Sequence, residues 1–98
     1  MNDKELFIIM GFIKSSQHRL MTLKAIENSI KTPAEIGREI NIRTTQVSAA
    51  LIQLKKKGFV VCLNEESHKG RLYTTSDFGK EMLNEYNRIF NSPPQKKP

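Results

Sequence analysis

Short polar side chains recur among apolar ones between residues 44 and 53, and none of these residues is charged. On a helix, short uncharged side chains allow close approach, and they can donate or accept hydrogen bonds at base edges in the DNA major groove. Two cations flank Gly70 further along the chain, where a flexible turn lets them follow a phosphate backbone or enter a narrow minor groove. The candidate contact residues are Arg43, Thr44, Thr45, Gln46, Ser48, Ala49, Gln53, Lys69 and Arg71. Their types predict contact with double-stranded DNA.

Individual side chains in this set suit particular partners. Gln46 can pair with adenine, Arg43 can pair with guanine or hold a phosphate, and Ala49 can meet a thymine methyl group. For any one of these residues, an ordinary solvated helix face is an equally good explanation. At the basic turn, the glutamates at 65–66 can instead neutralise the two cations. The three lysines at 55–57 are better explained by the negative end of a helix dipole than by DNA contact.

Catalysis has few side chains to act through in this sequence. His18, Cys62 and His68 are the only histidines and cysteine, and their spacing matches no metal-ligand or nucleophile motif. No paired carboxylates or glycine-rich phosphate loop stand out either. The sequence therefore predicts neither an enzyme nor a bound cofactor or metal. Cys62 is predicted to be a small buried thiol in a strand.

Helical periodicity precedes the candidate residues. The segment Leu6 to Ile13 is apolar nearly all round, which a surface helix that packs one stripe on a core does not need. A second helix with Leu20, Leu23 and Ile26 on one face follows a serine cap at 15–16. The first helix therefore needs a second partner for its apolar surface.

Two further helices are predicted to meet across a tight turn. Thr32-Pro33-Ala34-Glu35 combines a threonine N-cap, a proline at the first helical position and a glutamate that closes a capping box. After Asn41-Ile42, Thr44 or Thr45 is predicted to cap the next helix, which ends at Lys55-Lys56-Lys57-Gly58 with the glycine in a left-handed conformation. The buried face of that helix is predicted to comprise Val47, Ala50, Leu51 and Leu54.

A hairpin and a last helix complete the predicted elements. Residues 59–63 and 72–75 are β-prone and enclose a polar loop, which predicts two strands with a long basic tip. Ser76-Asp77 then begins a helix with a long apolar stripe. The stripe comprises Phe78, Met82, Tyr86, Ile89 and Phe90. Gly37 lies inside a predicted helix, where glycine costs about 1 kcal/mol relative to alanine, so we expect a close approach of the two motif helices there.

Two short helices followed directly by a two-stranded ribbon form the layout of a winged helix-turn-helix. The run from Thr32 to Leu54, the break at Lys57-Gly58-Phe59-Val60 and the wing Lys69-Gly70-Arg71-Leu72-Tyr73 resemble winged-helix regulators of the MarR and ArsR type, particularly small archaeal ones. The resemblance covers about residues 16–83. It implies an α+β, mostly helical winged helix-turn-helix fold, with N-terminal and C-terminal helices for dimerisation.

The same resemblance implies roles for two elements. Helix 44–57 would be the recognition helix in the major groove, and wing 64–71 would contact the backbone or the minor groove. The metal-sensing branch of the ArsR type places a cysteine pair in the recognition helix, where this sequence has Val47 and Ala49. Metal sensing is therefore not implied.

Length and composition are those of a soluble globular protein. The 98 residues suit a single domain, predicted at 1–91, and the low-complexity end at 92–98 predicts a disordered tail. The longest apolar run is too short to span a bilayer and has no signal-peptide frame, so a cytoplasmic location is predicted. The net charge is +6, and residues 43–71 include six basic and two acidic side chains. The excess therefore coincides with the predicted recognition helix and wing.

Two functions are compatible with these features: a homodimeric DNA-binding regulator of transcription, and a winged-helix module that binds another protein. The position of the basic residues favours the first. Binding through phosphates would weaken steeply with salt, whereas binding to a protein through an apolar patch would not. The homodimer is predicted from the first and last helices, because one monomer cannot cover both of their apolar surfaces. A small-molecule effector would have to act at that interface, and no residue pattern supports one.

Overall fold

The computed structural model describes residues 1–91, and the predicted tail at 92–98 lies outside the described residues. The helices are α1 (Asp3–Lys14), α2 (Gln17–Ala25), α3 (Pro33–Ile40), α4 (Thr44–Lys56) and α5 (Asp77–Tyr86), which a π-helical turn (Asn87–Asn91) extends. The strands are β1 (Val60–Cys62) and β2 (Tyr73–Thr75). These elements confirm the predicted α+β, mostly helical architecture, and no helix within residues 1–91 has the length and apolar content needed to cross a membrane.

Side-chain caps determine where most of the helices begin. The Thr32 hydroxyl accepts a hydrogen bond from the Glu35 backbone N–H, and the Glu35 carboxylate accepts one from the Thr32 N–H at 2.8 Å. This last bond is the main reason why the pKa of Glu35 is lowered. Ser16 and Ser76 cap α2 and α5 through their hydroxyls. The predicted capping box at α3, the predicted serine cap of α2 and the predicted start of the last helix at Ser76-Asp77 are therefore confirmed.

The predicted threonine cap of α4 is wrong. Thr44 is already the first helical residue, and Arg43 occupies the N-cap position without a side-chain cap bond. The reason lies in the preceding turn, where Asn41 adopts a left-handed conformation with φ 59° and the Ile42 N–H donates to the Gly37 carbonyl. This compact turn brings the chain into α4 one residue earlier than the threonines suggest.

The two strands pair antiparallel, with Val60 opposite Thr75 and Cys62 opposite Tyr73. The strands are shorter than the predicted segments 59–63 and 72–75. Lys31 forms an isolated antiparallel bridge with Tyr73, on the side of β2 away from β1. Cys62 is half-buried rather than buried, because it lies where β1 leaves the core, and its thiol is 3.6 Å from the side-chain oxygen of Asn64. The prediction of a buried thiol is therefore wrong.

One core joins the helices to the base of the hairpin. The Phe59 ring lies at its centre, 5.6 Å from the Phe12 ring and 5.3 Å from the Phe78 ring between centroids. Gly37 lies where α3 meets both the turn and the start of α4, in line with the expected close approach of the two motif helices: a Cβ there would lie 2.6 Å from the Ile42 carbonyl oxygen and 3.6 Å from the Thr44 nitrogen. Gly79 is tighter still, because its Cβ would lie 2.1 Å from the Phe59 carbonyl oxygen.

Candidate nucleic-acid interface

Helix α4 has the two faces that its sequence predicts. Its buried residues are Val47, Ala50, Leu51 and Leu54, which pack into the core. On the opposite side the side chains are exposed or, for Ser48, half-buried, and none between Thr44 and Gln53 is charged. The exposed ones are Thr44, Thr45, Gln46, Ala49, Ile52 and Gln53. The structure thus places the predicted contact residues of this helix on one accessible surface.

A groove of about 390 Å³ separates the N-terminal part of α4 from the wing. Thr44 and Ser48 line it on the helix side, and Lys69, Gly70 and Arg71 line it on the wing side. The start of α3 forms its floor. The structure therefore brings predicted residues from two distant parts of the sequence to the same depression.

The wing, residues 64–72, is held in shape by its own hydrogen bonds. The Arg71 guanidinium donates from Nε to the Ser67 carbonyl at 2.7 Å and from Nη2 to the Glu65 carbonyl at 3.0 Å. The Asn64 side chain accepts from the Leu72 N–H at 2.7 Å and donates to the Gly70 carbonyl at 3.2 Å. Arg71 is therefore half-buried within the wing, where two of its guanidinium nitrogens are engaged.

The tip of the wing is the exposed basic part. Lys69 is exposed beside Gly70, which has φ +64°, a left-handed conformation that suits glycine. Within residues 1–91, Lys69 forms no salt bridge. Of the two glutamates that could neutralise the wing cations, Glu65 forms its salt bridge with Lys55 of α4 at 2.5 Å, and Arg71 makes only a smaller contribution to its lowered pKa.

The ion pair between Lys55 and Glu65 links the base of the wing to α4. Its hydrogen bond lowers the pKa of Glu65 and raises the pKa of Lys55. Both side chains are exposed, so the pair adds little to stability. Lys55 thus has a structural partner within the protein.

Three basic or polar side chains near this surface are missing from the predicted set. Arg38 lines a second shallow groove with Arg43 at the turn between α3 and α4. His68 is exposed at the wing tip next to Lys69. Arg19 of α2 donates to the Gln53 side chain at 2.7 Å. The positive charge of Arg38 could have indicated this residue from the sequence. The contact between Arg19 and Gln53 joins residues 34 positions apart, and no local pattern in the sequence indicates it.

Within the described residues 1–91, no group of three His, Cys, Asp or Glu side chains is placed to hold a metal ion. Cys62 lies beside Asn64, and the two histidines belong to different elements, His18 to α2 and His68 to the wing. The candidate site is therefore a surface of hydrogen-bonding and cationic groups.

No family model and no curated protein matches the sequence. Among solved structures, TubR bound to 24 bp of tubC from Bacillus thuringiensis serovar israelensis pBtoxis is similar, with a TM-score of 0.73, 17% identity, and coverage of 91% of this chain and 96% of that chain. HlyU from Vibrio cholerae has a TM-score of 0.69 and 17% identity, with coverage of 94% and 100%.

A mutant of MarR from E. coli is also similar, with a TM-score of 0.72 and 18% identity, covering 92% of this chain and 68% of that chain. At these identities the likeness concerns the fold. This likeness, together with the arrangement of α3, α4 and the hairpin, shows that this chain has the winged helix-turn-helix fold.

Proposed function

We propose that this chain is a sequence-specific regulator of transcription that binds double-stranded DNA as a homodimer. The observation that supports this best is the accessible, uncharged face of α4 beside an exposed cation at the wing tip. Uncharged short side chains suit base edges, and cations suit phosphates. Helix α4 lies in the major groove in this proposal, and the wing contacts the adjacent backbone or minor groove.

The contact residues divide into two groups by their chemistry. The N-terminal half of α4 faces the bases, since recognition helices use their first turns for base contact. Its proposed base contacts are Thr44, Thr45, Gln46, Ser48 and Ala49. Arg43, Lys69 and Arg71 face phosphates, and Arg71 retains donors that the wing carbonyls do not use.

The comparisons support DNA as the partner. TubR is described as bound to 24 bp of tubC, and this chain matches 96% of that chain's length. The proposal transfers the type of partner alone, because 17% identity leaves the operator sequence open.

Dimerisation is supported by apolar side chains that the monomer leaves outside its core. Phe7 is 74% exposed and Ile8 is 63% exposed on α1, and Ile89 and Phe90 after α5 are about two-fifths exposed. Phe7 and Ile89 line one shallow pocket, so the two termini form a continuous apolar surface. A second copy of the chain would bury it and give the complex two-fold symmetry.

Selection of bound sequences from a random duplex pool tests the proposal. We expect a pseudo-palindromic site whose half-sites are about 34 Å, one DNA turn, or a multiple of it apart. Binding should weaken steeply as salt rises, because phosphate contacts release counterions. Failure to bind any duplex at low salt would contradict the proposal, and salt-insensitive capture of a protein would favour the interaction module instead.

A further inference from the structure

Arg19 joins three elements through its guanidinium. From the first turn of α2 its Nε donates to the Phe12 carbonyl of α1 at 2.9 Å, and Nη2 donates to the Ser15 hydroxyl at 2.7 Å. The guanidinium also lies over the Phe12 ring, 4.2 Å from its centroid. The third bond runs from Nη1 to the side-chain oxygen of Gln53 on α4, at 2.7 Å. Three anchors other than Gln53 therefore hold the guanidinium in position.

This arrangement orients the amide of Gln53. A glutamine side chain has one acceptor oxygen and one donor NH₂ group, and here the oxygen is engaged by a permanently charged donor. The NH₂ group is left for other partners on an exposed side chain. Arg19 therefore fixes the direction of the Gln53 oxygen and occupies one of its two lone pairs, while the NH₂ donors have no partner among the described residues.

A glutamine whose oxygen is held by an arginine is less free to turn both amide groups toward an adenine edge. The bidentate contact requires the amide oxygen to accept from the adenine N6 amino group while the amide nitrogen donates to N7. A phosphate oxygen requires only a donor. Gln53 therefore has the chemistry of a backbone contact.

The position of Gln53 along α4 agrees with this chemistry. Gln53 lies two helical turns beyond Gln46 on the same face, at a distance of about 10 Å along the axis. Base contacts come from the first turns of a recognition helix, so its later turns lie closer to the backbone. Lys56 and Lys57 are exposed at the same end of α4 and raise the local potential for an anion.

We propose that Arg19 is a positioning residue that fixes Gln53 as a hydrogen-bond donor to a DNA phosphate. This inference rests on the proposed function of α4. In it, Arg19 and Gln53 together hold the C-terminal half of α4 against the backbone without reading sequence. The same guanidinium also donates to the Phe12 carbonyl near the end of α1. The position of α1 and the contact of α4 with the DNA backbone are therefore coupled through Arg19.

The test measures binding of the full chain to two duplexes of equal length, one A·T-rich and one G·C-rich, over a salt series. Q53A should weaken binding to both by the same factor, about tenfold for a bond to a charged acceptor. The salt slope should stay unchanged, because a neutral donor displaces no counterion. Q53E keeps an acceptor for Arg19 but has no donor, so it should weaken binding to both duplexes further.

A double-mutant comparison isolates Arg19. R19K keeps the charge but lacks the planar fork, so it should weaken binding in the wild-type background and have no further effect in Q53A. The matched control is Asn84→Ala, which removes an exposed amide from α5 and should leave binding unchanged. Thermal unfolding of each variant checks the fold, and the exposed Gln53 variants decide the matter even if R19K unfolds.

Several results would overturn the inference. They are an unchanged affinity for Q53A, a loss confined to the A·T-rich duplex, or an effect of R19K that persists in Q53A. In each case the wild-type chain still binds DNA, and only the role of this pair fails. Absence of wild-type binding to either duplex would overturn the proposed function itself, and the inference with it.

Discussion

Lys69 and Arg71 flank the same glycine, yet their side chains have different surroundings. Lys69 is exposed, whereas Arg71 is half-buried and donates to two carbonyls of the wing. Lys69→Ala should therefore weaken binding to operator and random duplex alike and reduce the salt slope by about one for each phosphate that Lys69 neutralises. Affinity measurements over a salt series check this, with the exposed Lys4→Ala on α1 as the control. An unchanged salt slope for Lys69→Ala would contradict the role of the wing tip.

Arg71→Ala should have a second effect that Lys69→Ala lacks. It removes two of the four side-chain hydrogen bonds that hold residues 64–72 in shape, so the wing should become less ordered as well as less basic. Amide hydrogen exchange in the wing should accelerate in Arg71→Ala and stay unchanged in Lys69→Ala. Equal exchange in both variants would show that Arg71 does not hold the wing in shape.

Gln46 is the side chain best placed to read a base. It is exposed in the first turn of α4, and its neighbours on that face are short. Gln46→Ala should reduce the preference for the selected operator over random duplex by about 1–3 kcal/mol and leave random binding almost unchanged. Ser48→Ala tests the half-buried neighbour in the groove. If neither change alters operator preference, α4 does not read bases through these residues.

Arrangements that depend on residues close together along the chain could be predicted from the sequence, whereas contacts between distant residues could not. The exposed face of α4 follows from its buried stripe, because a helical period assigns one face once the other is known. The hydrogen bonds of Arg71 and Asn64 depend on how a loop folds back on itself. The bond between Arg19 and Gln53 depends on the packing of α2 against α4. No local pattern specifies either arrangement.

Gly79 determines how closely α5 approaches the start of β1. The Ser76 N–H donates to the Phe59 carbonyl, and a Cβ at position 79 would lie 2.1 Å from that same carbonyl oxygen. Gly79→Ala should therefore destabilise the fold by about 1–3 kcal/mol or more, as overpacked cores do. Denaturant unfolding measures the change.

Gly11 in the middle of α1 is the matched control for Gly79. A Cβ at Gly11 would meet nothing within 4 Å, so Gly11→Ala should leave stability unchanged or raise it by up to about 1 kcal/mol. Equal losses in both variants would show that close packing at Gly79 is not the cause. The comparison separates a steric effect from the general effect of glycine on a helix.

The pair of Lys55 and Glu65 makes the wing's attachment to α4 depend on pH. The folded pKa of Glu65 is lowered from 4.5, so its contribution is present above pH 4.5 and is lost as pH falls through the folded value. An NMR titration of the Glu65 carboxyl carbon should give a midpoint below 4.5. Lys55→Ala should move that midpoint upward, and Lys56→Ala should not. An equal midpoint in the wild-type chain and in Lys55→Ala would contradict the ion pair.

Element boundaries were predictable wherever a side chain caps a helix. Thr32, Ser16 and Ser76 each have a local partner within three residues, so their roles follow from spacing alone. The start of α4 was not predictable in this way, since the left-handed Asn41 in the preceding turn takes the place of a side-chain cap. The bridge between Lys31 and Tyr73 joins distant segments, and a hairpin pattern does not indicate it.

Residues near both ends of the described chain leave an apolar surface exposed, and the proposed dimer would bury it. Phe7→Glu or Ile8→Lys should therefore lower the sedimentation mass to that of a monomer and weaken operator binding. Ile30→Glu changes a similarly exposed apolar residue in the loop before α3 and should leave the mass unchanged. A monomeric mass for the wild-type chain at micromolar concentration would contradict the homodimer.

The hydrogen bonds inside the wing also affect the thermodynamics of association. Ordering a flexible loop costs about 1–2 kcal/mol per residue in backbone entropy. In this chain Asn64 and Arg71 order residues 64–72 when the protein folds, so little of that entropy remains to be lost when a ligand arrives. Calorimetry of Asn64→Ala should accordingly show a more unfavourable binding entropy than the wild-type chain. In the proposed complex the wing would meet its partner as a rigid template, and it would reject a surface of the wrong shape without first adapting to it.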